Sequence, residues 1–185
     1  MKTESTVMYV VRLAVTLLLI TGIMAAVLAG VNSITAPKIA AITAEKTTQA
    51  IAAVLPDAET AVAVDFTDNT GIVTTVYESD SGYAITVTPS GFDGTIEMMV
   101  GVNKADGTVT GISIINQSET AGLGAVCAAS SAKGENFRTQ YIGMSGELAV
   151  AKDGGAVEAI TGATITSRAV TTGVNAALAC AANFG

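Results

Sequence analysis

The 185-residue sequence contains no histidine and only two cysteines. Without histidine there can be no Ser-His-Asp or Cys-His nucleophile system, no His-ligated zinc or haem, and no side chain that ordinarily moves protons near neutral pH. Cys127 and Cys180 cannot supply a four-thiolate zinc or iron-sulfur site, and no Cys-x-x-Cys pair points to a dithiol centre. Both lie among alanines, which suits small buried residues in packed helices. The sequence therefore offers no metal site and no catalytic residues of its own, and any redox chemistry would belong to a bound cofactor.

Charge is scarce as well. Only 14% of residues are charged while 50% are hydrophobic, and the mean hydropathy is +0.54, values that exclude a disordered chain. What charge there is divides unevenly. Through Lys38 there are three basic residues (Lys2, Arg12 and Lys38) to one acidic residue, Glu4, and from residue 39 onward six basic to fifteen acidic. A segment that acidic repels nucleic acid, and an anionic ligand would need local donors because no general positive field exists.

Residues 13–31 carry no charge over nineteen positions. As a helix they would span about 28 Å, close to the roughly 30 Å hydrocarbon core of a bilayer. Residues 7–11 extend the apolar run, Arg12 can snorkel to the headgroups, and Thr35-Ala36-Pro37 offers a helix stop or a new cap. Lys2, Arg12 and the amino terminus favour an inside amino end, placing the remainder outside the cytoplasm. Two units are expected: an anchor over 1–37 and a domain over 38–185. A cleaved signal peptide competes, because Val27-Leu28-Ala29 precedes Gly30, although the run is longer than the usual h-region. No cysteine follows to accept a lipid, and no Gly-Phe-type processing site supports a pilin.

The rest reads as α+β, a small, mainly antiparallel sheet with flanking helices. Residues 38–55 have helical apolar spacing and stop at Pro56-Asp57. Strand-like runs follow at 61–66, 72–77 and 83–88, then at 95–103 and 108–116 around an Asp106-Gly107 turn. A Gly-rich loop at 119–124 leads into a mixed helical stretch to about Tyr141. Residues 147–151 and 156–159 are expected to pair around Lys152-Asp153-Gly154-Gly155, and 167–182 form an alanine-rich final helix.

Chemistry is most legible at 158–167, where a strand end, a small-residue turn and a helix start follow one another. The first amides of a helix lack partners within it and carry the positive end of its dipole, so this arrangement suits a phosphate. Thr161, Thr164, Thr166 and Ser167 add hydroxyls, and Arg168 lies four residues after Thr164, on the same helical side. Simple helix capping by these hydroxyls is the competing reading.

At these residues the sequence resembles a known family. Thr161-Gly162-Ala163-Thr164 looks like the Ser/Thr-Gly-Ala-Thr motif of covalently flavinylated domains, in which a flavin transferase uses FAD to esterify FMN phosphate onto the threonine. Together with the amino-terminal anchor, the small sheet and the Glu119-Thr120-Ala121-Gly122-Leu123-Gly124 loop, the chain is similar to the G subunit of the Rnf electron-transport complex. The related C subunit of the sodium-pumping NADH:quinone reductase is typically longer. The resemblance implies FMN attached at Thr164, with Thr166 the nearest rival hydroxyl. It also implies that Glu119, Thr120, Gly122, Leu123 and Gly124 border the flavin. Ala121 replaces the family's proline, and Glu158 stands where the transferase usually meets Asp.

The implied role is an electron relay within an ion-translocating ferredoxin:NAD oxidoreductase of a bacterial or archaeal cytoplasmic membrane. Its partners would be flavin-bearing and iron-sulfur subunits, the flavin transferase and membrane lipid. Tyr77, Tyr83 and Tyr141 are read as sheet or core aromatics, although each could stack on a flavin. The alternatives are an anchored, non-redox binding or assembly module and a flavinylated domain serving another extracytoplasmic reductase.

Overall fold

The computed structural model describes residues 6–184. Lys2 and Glu4, counted in the charge balance, lie outside the described residues. By internal contacts the chain divides into two compact units, the first ending at Glu45 and the second beginning at Lys46.

The first element, α1 (Thr6–Val54), is a single 49-residue helix with Pro37 inside it. The stop expected at Thr35-Ala36-Pro37 does not occur. Proline removes one ladder bond, but strong helical sequence on both sides keeps the remaining bonds in register. This is one helix long and apolar enough to cross a membrane by length and composition. Three of its threonine hydroxyls are satisfied internally: Thr16 donates to the Arg12 carbonyl at 2.8 Å, Thr21 to Leu17 at 2.9 Å and Thr35 to Val31 at 2.9 Å. Such back-bonding lets Thr sit in an apolar helix without an orphaned donor.

In the second unit, five strands form one antiparallel sheet in sequence order: β1 (Val62–Val64), β2 (Val73–Glu78), β3 (Gly82–Val87), β4 (Glu97–Asn103) and β5 (Val109–Asn116). The β4–β5 hairpin turns where expected, with Gly107 at φ +66° and the Asp106 carboxylate accepting from the Thr108 amide at 3.0 Å. β3 and β4 are buried on both faces. On one face Ile85, Val87, Met98 and Val100 pack with Val170, Val174 and Ala177 of the last helix, α3 (Thr164–Ala181). On the other, Ala84 and Met99 pack with Ala50, Ile51, Val54 and Leu55 from the end of α1. Double coverage explains why these strands read as nearly continuous apolar runs.

The end of α1 reaches the sheet over a pair of glycines, Gly101 and Gly111, which face each other across β4 and β5. A Cβ at Gly101 would meet the Val54 carbonyl oxygen at 2.5 Å and Val54 Cβ at 2.9 Å. Thr110 donates its hydroxyl to that same carbonyl at 2.5 Å, satisfying one of the unpaired C=O groups at the helix end. Gly101→Ala should therefore destabilise the folded unit by about 2–3 kcal/mol, the cost of overpacking a close backbone approach, measured by urea unfolding of the chain in detergent.

Beyond α1, Asp57 ties the Pro56 turn to the β2–β3 connection. It accepts from the Ser81 amide at 2.8 Å, the Ser79 hydroxyl at 3.0 Å and the Ser81 hydroxyl. The Ser81 hydroxyl is the main reason its carboxyl is lowered from the ordinary 3.8 to about 2, against the opposing effect of burial. A carboxyl depressed on folding contributes stability above its unfolded value and loses that contribution as pH falls through the folded one. Asp57→Asn should accordingly lower Tm at neutral pH and flatten its fall between about pH 4 and pH 2, read by thermal scans across that interval.

Between β5 and α3 lie a 3₁₀ turn at Gly124–Ala128, the short helix α2 (Ala132–Thr139) and a second 3₁₀ turn at Ala151–Asp153. The hairpin expected around residues 152–155 is absent. Val150 and Val157 form instead a lone parallel bridge, and Gly154 has φ +86°. The Ala151 amide donates to the Val157 carbonyl at 2.7 Å and the Gly155 amide to the Val150 carbonyl at 3.1 Å, so the loop closes on itself. Two successive glycines allow that tighter path.

Both cysteines are buried free thiols, and burial pushes the Cys127 thiol up to about 11. Tyr141 is fully buried and shares a 2.9 Å hydrogen bond with Thr171. Tyr83 stacks on Phe184 at 4.9 Å between ring centroids.

Candidate functional site

The turn before α3 is set by its own backbone and by two side chains. Gly162 takes φ +79°, and Ala163 at the N-cap makes no side-chain capping bond. Ser167 donates its hydroxyl to the Ala163 carbonyl at 2.9 Å and accepts from the Ile160 amide at 3.0 Å, pinning the turn to the first helical turn. The Gln140 amide holds the entering strand of chain, donating to the Glu158 carbonyl at 3.0 Å and accepting from the Glu158 amide at 2.8 Å.

The Glu119 loop meets this turn through one buried carboxylate. Glu119 is 7% exposed, and its Oε1 accepts from the Phe92 and Asp93 amides at 2.8 and 3.0 Å. Its Oε2 accepts the Thr166 hydroxyl proton at 2.5 Å. One side chain thus joins the β3–β4 connection, the 119–124 loop and the first turn of α3. Gly124 has no room for a side chain, because a Cβ there would be driven into the Glu119 carboxylate and the Thr166 hydroxyl.

A cavity of about 300 Å³ opens where these three segments converge. Glu119, Thr120, Leu123 and Gly124 line it from one side, and Gly162, Ala163, Thr164 and Thr166 from the other. Gly122 and Thr161 line instead an adjoining cavity of about 340 Å³ against α2. Ser167 is buried in its structural role, and Arg168 is held by Asp153 through two bonds of 2.7 and 2.6 Å. That pairing lowers the Asp153 carboxyl and raises the Arg168 guanidinium.

Three residues with a part in this site carry no signal in the sequence. Phe92 and Ile165 are exposed apolar side chains on the cavity wall, at 67% and 49%. Phe92 sits between glycines in a turn, outside any apolar periodicity. Lys152 donates to the Thr164 hydroxyl at 2.9 Å, twelve residues away in sequence and across a loop whose composition suggests a hairpin.

The four hydroxyls before and within α3 are now distinguishable. Thr161 is exposed, Thr166 and Ser167 are buried and committed to the fold, and Thr164 is half-buried at the cavity wall. A cavity lined by Phe92, Leu123 and Ile165 beside a helix start without a side-chain cap fits a planar group bearing a phosphate. Residues 91–179 match the FMN-binding domain family. The chain is similar to the G subunit of the ion-translocating oxidoreductase complex of Methanosarcina acetivorans, at 29% identity over 91% of this chain and 93% of that protein. It is also similar to the G subunit of the Na(+)-translocating ferredoxin:NAD(+) oxidoreductase complex of Acetobacterium woodii, at 35% identity over 90% and 88%. The G subunit of the proton-translocating counterpart in Clostridium ljungdahlii is 40% identical over 52% of this chain and 51% of its own length.

Fold, site and match together define a flavin-binding electron-transport subunit. The chain belongs to the family of G subunits of the Rnf complex, the ion-translocating oxidoreductase.

Proposed function

We propose that FMN is attached covalently through its phosphate to Thr164, and that the protein relays electrons within an ion-translocating ferredoxin:NAD oxidoreductase. The observation that carries the attachment is the contrast between neighbouring hydroxyls. Thr164 faces the cavity from a half-buried position, whereas Thr166 is 1% exposed and bound to Glu119. Bound FMN supplies reversible electron transfer, which the protein's side chains cannot provide.

The chain's own residues bind, orient and shield. The first amides of α3, at residues 164–166, have no partner within the helix and would receive the phosphate, whereas the Ala163 amide is spent on the Ile160 carbonyl at 2.9 Å. Leu123, Phe92 and Ile165 offer apolar contact to the ring, and Gly124 and Gly162 keep the backbone low beside it. Glu119 holds the three walls together, while Thr120 and Thr166 add polar lining. Covalent attachment suits a site outside the cytoplasm, where a dissociating cofactor would be lost by dilution.

The anchor, residues 1–37, would cross the cytoplasmic membrane of a bacterial or archaeal cell with its amino end inside, leaving the FMN domain, 38–185, extracytoplasmic. Lys2, Arg12 and the amino terminus before the apolar run support this direction. The partners are the flavin-bearing and iron-sulfur subunits of the complex, the flavin transferase that loads the site, and surrounding lipid. The test is the intact mass and fluorescence of the denatured chain after coexpression with a flavin transferase. The expected result is the FMN phosphoryl increment on a yellow, fluorescent polypeptide, and an unmodified mass would overturn the proposal.

A further inference from the structure

We propose that Lys152 is the cation that holds the phosphate joined to Thr164, and that the Arg168–Asp153 pair serves to place it there. This rests on the reading of Thr164 as the attachment point. Lys152 Nζ lies 2.9 Å from Thr164 Oγ1. In the ester that oxygen becomes the bridging atom, and the charged non-bridging oxygens sit only two bonds away, within reach of the same ammonium. A charge-assisted bond of that kind is about twice as strong as a neutral one.

Two other cations around the site, Arg168 and Arg138, are engaged elsewhere, and a third, Lys133, lines a different cavity. Arg168, on the same helical side as Thr164, is clamped by both Asp153 carboxylate oxygens at 2.7 and 2.6 Å. Arg138 donates to the Cys127 and Ala129 carbonyls at 2.7 and 3.1 Å. Lys133 lines the adjoining cavity of about 340 Å³. The clamp pins the Ala151–Asp153 turn to the first turns of α3, and Lys152 is the middle residue of that turn. Arg168 and Asp153 neutralise one another, leaving one positive charge for the single negative charge of a phosphodiester. From residue 39 onward acidic residues outnumber basic ones fifteen to six, so this charge must be supplied locally.

The same contact bears on loading. When the Thr164 oxygen attacks the FMN-side phosphorus of FAD, the new P–O bond replaces the pyrophosphate bond, AMP departs and the hydroxyl proton is released. An ammonium already on that oxygen stabilises the charge that develops there.

The experiment uses the full chain loaded by flavin transferase and FAD, as wild type, Lys152→Gln, Lys152→Arg and Lys133→Gln. Two quantities are read: the initial rate of mass gain, and the displacement of the phosphodiester phosphorus-31 resonance between the folded protein and the same protein in urea. Wild type and Lys133→Gln should show a clear displacement, Lys152→Gln should lose it, and Lys152→Arg should restore it. Loading of Lys152→Gln should slow by about tenfold, the scale of one lost charged hydrogen bond. A loaded Lys152→Gln protein with the wild-type displacement, a wild-type protein with none, or loss in Lys133→Gln alone would overturn the assignment of Lys152. A wild-type chain that gains no mass would instead remove the attachment reading, and the lysine's role with it.

Discussion

Replacing Thr164 by alanine should abolish covalent flavin completely, giving a denatured chain of unmodified mass without flavin fluorescence. The folded protein should hardly notice. Thr164 is half-buried, and its hydroxyl bond to Lys152 is exposed, so the stability change should stay within about 0.5 kcal/mol. Thr166→Ala should behave in the opposite way. Its hydroxyl donates to a buried carboxylate, and loss of that bond should cost about 1.5–3 kcal/mol, yet the flavin should still attach. Thr164→Ser keeps a nucleophilic oxygen on the same backbone and should still load. Retention of the mass increment in Thr164→Ala would mean that another hydroxyl carries the group. Intact mass and urea unfolding of the four chains separate these outcomes.

Glu119 carries the second large effect. Its two oxygens receive the Phe92 and Asp93 amides and the Thr166 hydroxyl, so it acts as a brace between three chain segments. Glu119→Ala removes all three acceptor contacts and leaves a void beside Gly124, in the space that the Glu119 side chain fills. A loss of about 3 kcal/mol is expected, since several charge-assisted bonds vanish while the partly exposed amides recover water. Loading should fall more steeply than stability alone explains, because Leu123 and Phe92 lose their fixed positions on the cavity wall. Glu119→Gln retains one carbonyl oxygen for the two amides, and Thr166 can turn to accept from the new NH₂ group. Its cost should be about 1 kcal/mol, with loading largely kept. Equal loss in the two variants would show that negative charge, rather than bracing, is what the site requires of this residue.

Much of the architecture was legible from local pattern. Periodicity located all five strands within a few residues, and Asp106-Gly107 marked the β4–β5 turn, because positive φ at a turn is a local demand. The apolar run marked α1 because its length and uniformity need no context. The errors arose where two local signals conflicted or where local signals were silent. Pro37 reads as a stop, yet helical sequence on either side carries the helix through it. The 147–159 segment has the composition of a hairpin, but its glycines let it close around a single parallel bridge. Gly101 and Gly111 look like weak points inside strands until the end of α1 is seen to occupy the space that they leave.

By itself the sequence determined that this protein has a membrane-length apolar helix and an α+β domain. It also marked the threonine-rich turn beginning the last helix as a candidate phosphate site, with simple helix capping as the competing reading. These depend on residue type and near-neighbour spacing, quantities that survive in an unfolded chain. Only the tertiary structure decided which hydroxyl is presented and which is spent. Thr164 and Thr166 differ little in sequence, but Glu119, 47 residues before Thr166, takes one and leaves the other at the cavity. The same holds for charge: Arg168 lies nearer in sequence, yet Asp153 engages it and Lys152 reaches Thr164 across the loop. Such contacts join residues far apart along the chain, so their outcome depends on packing that no local pattern encodes.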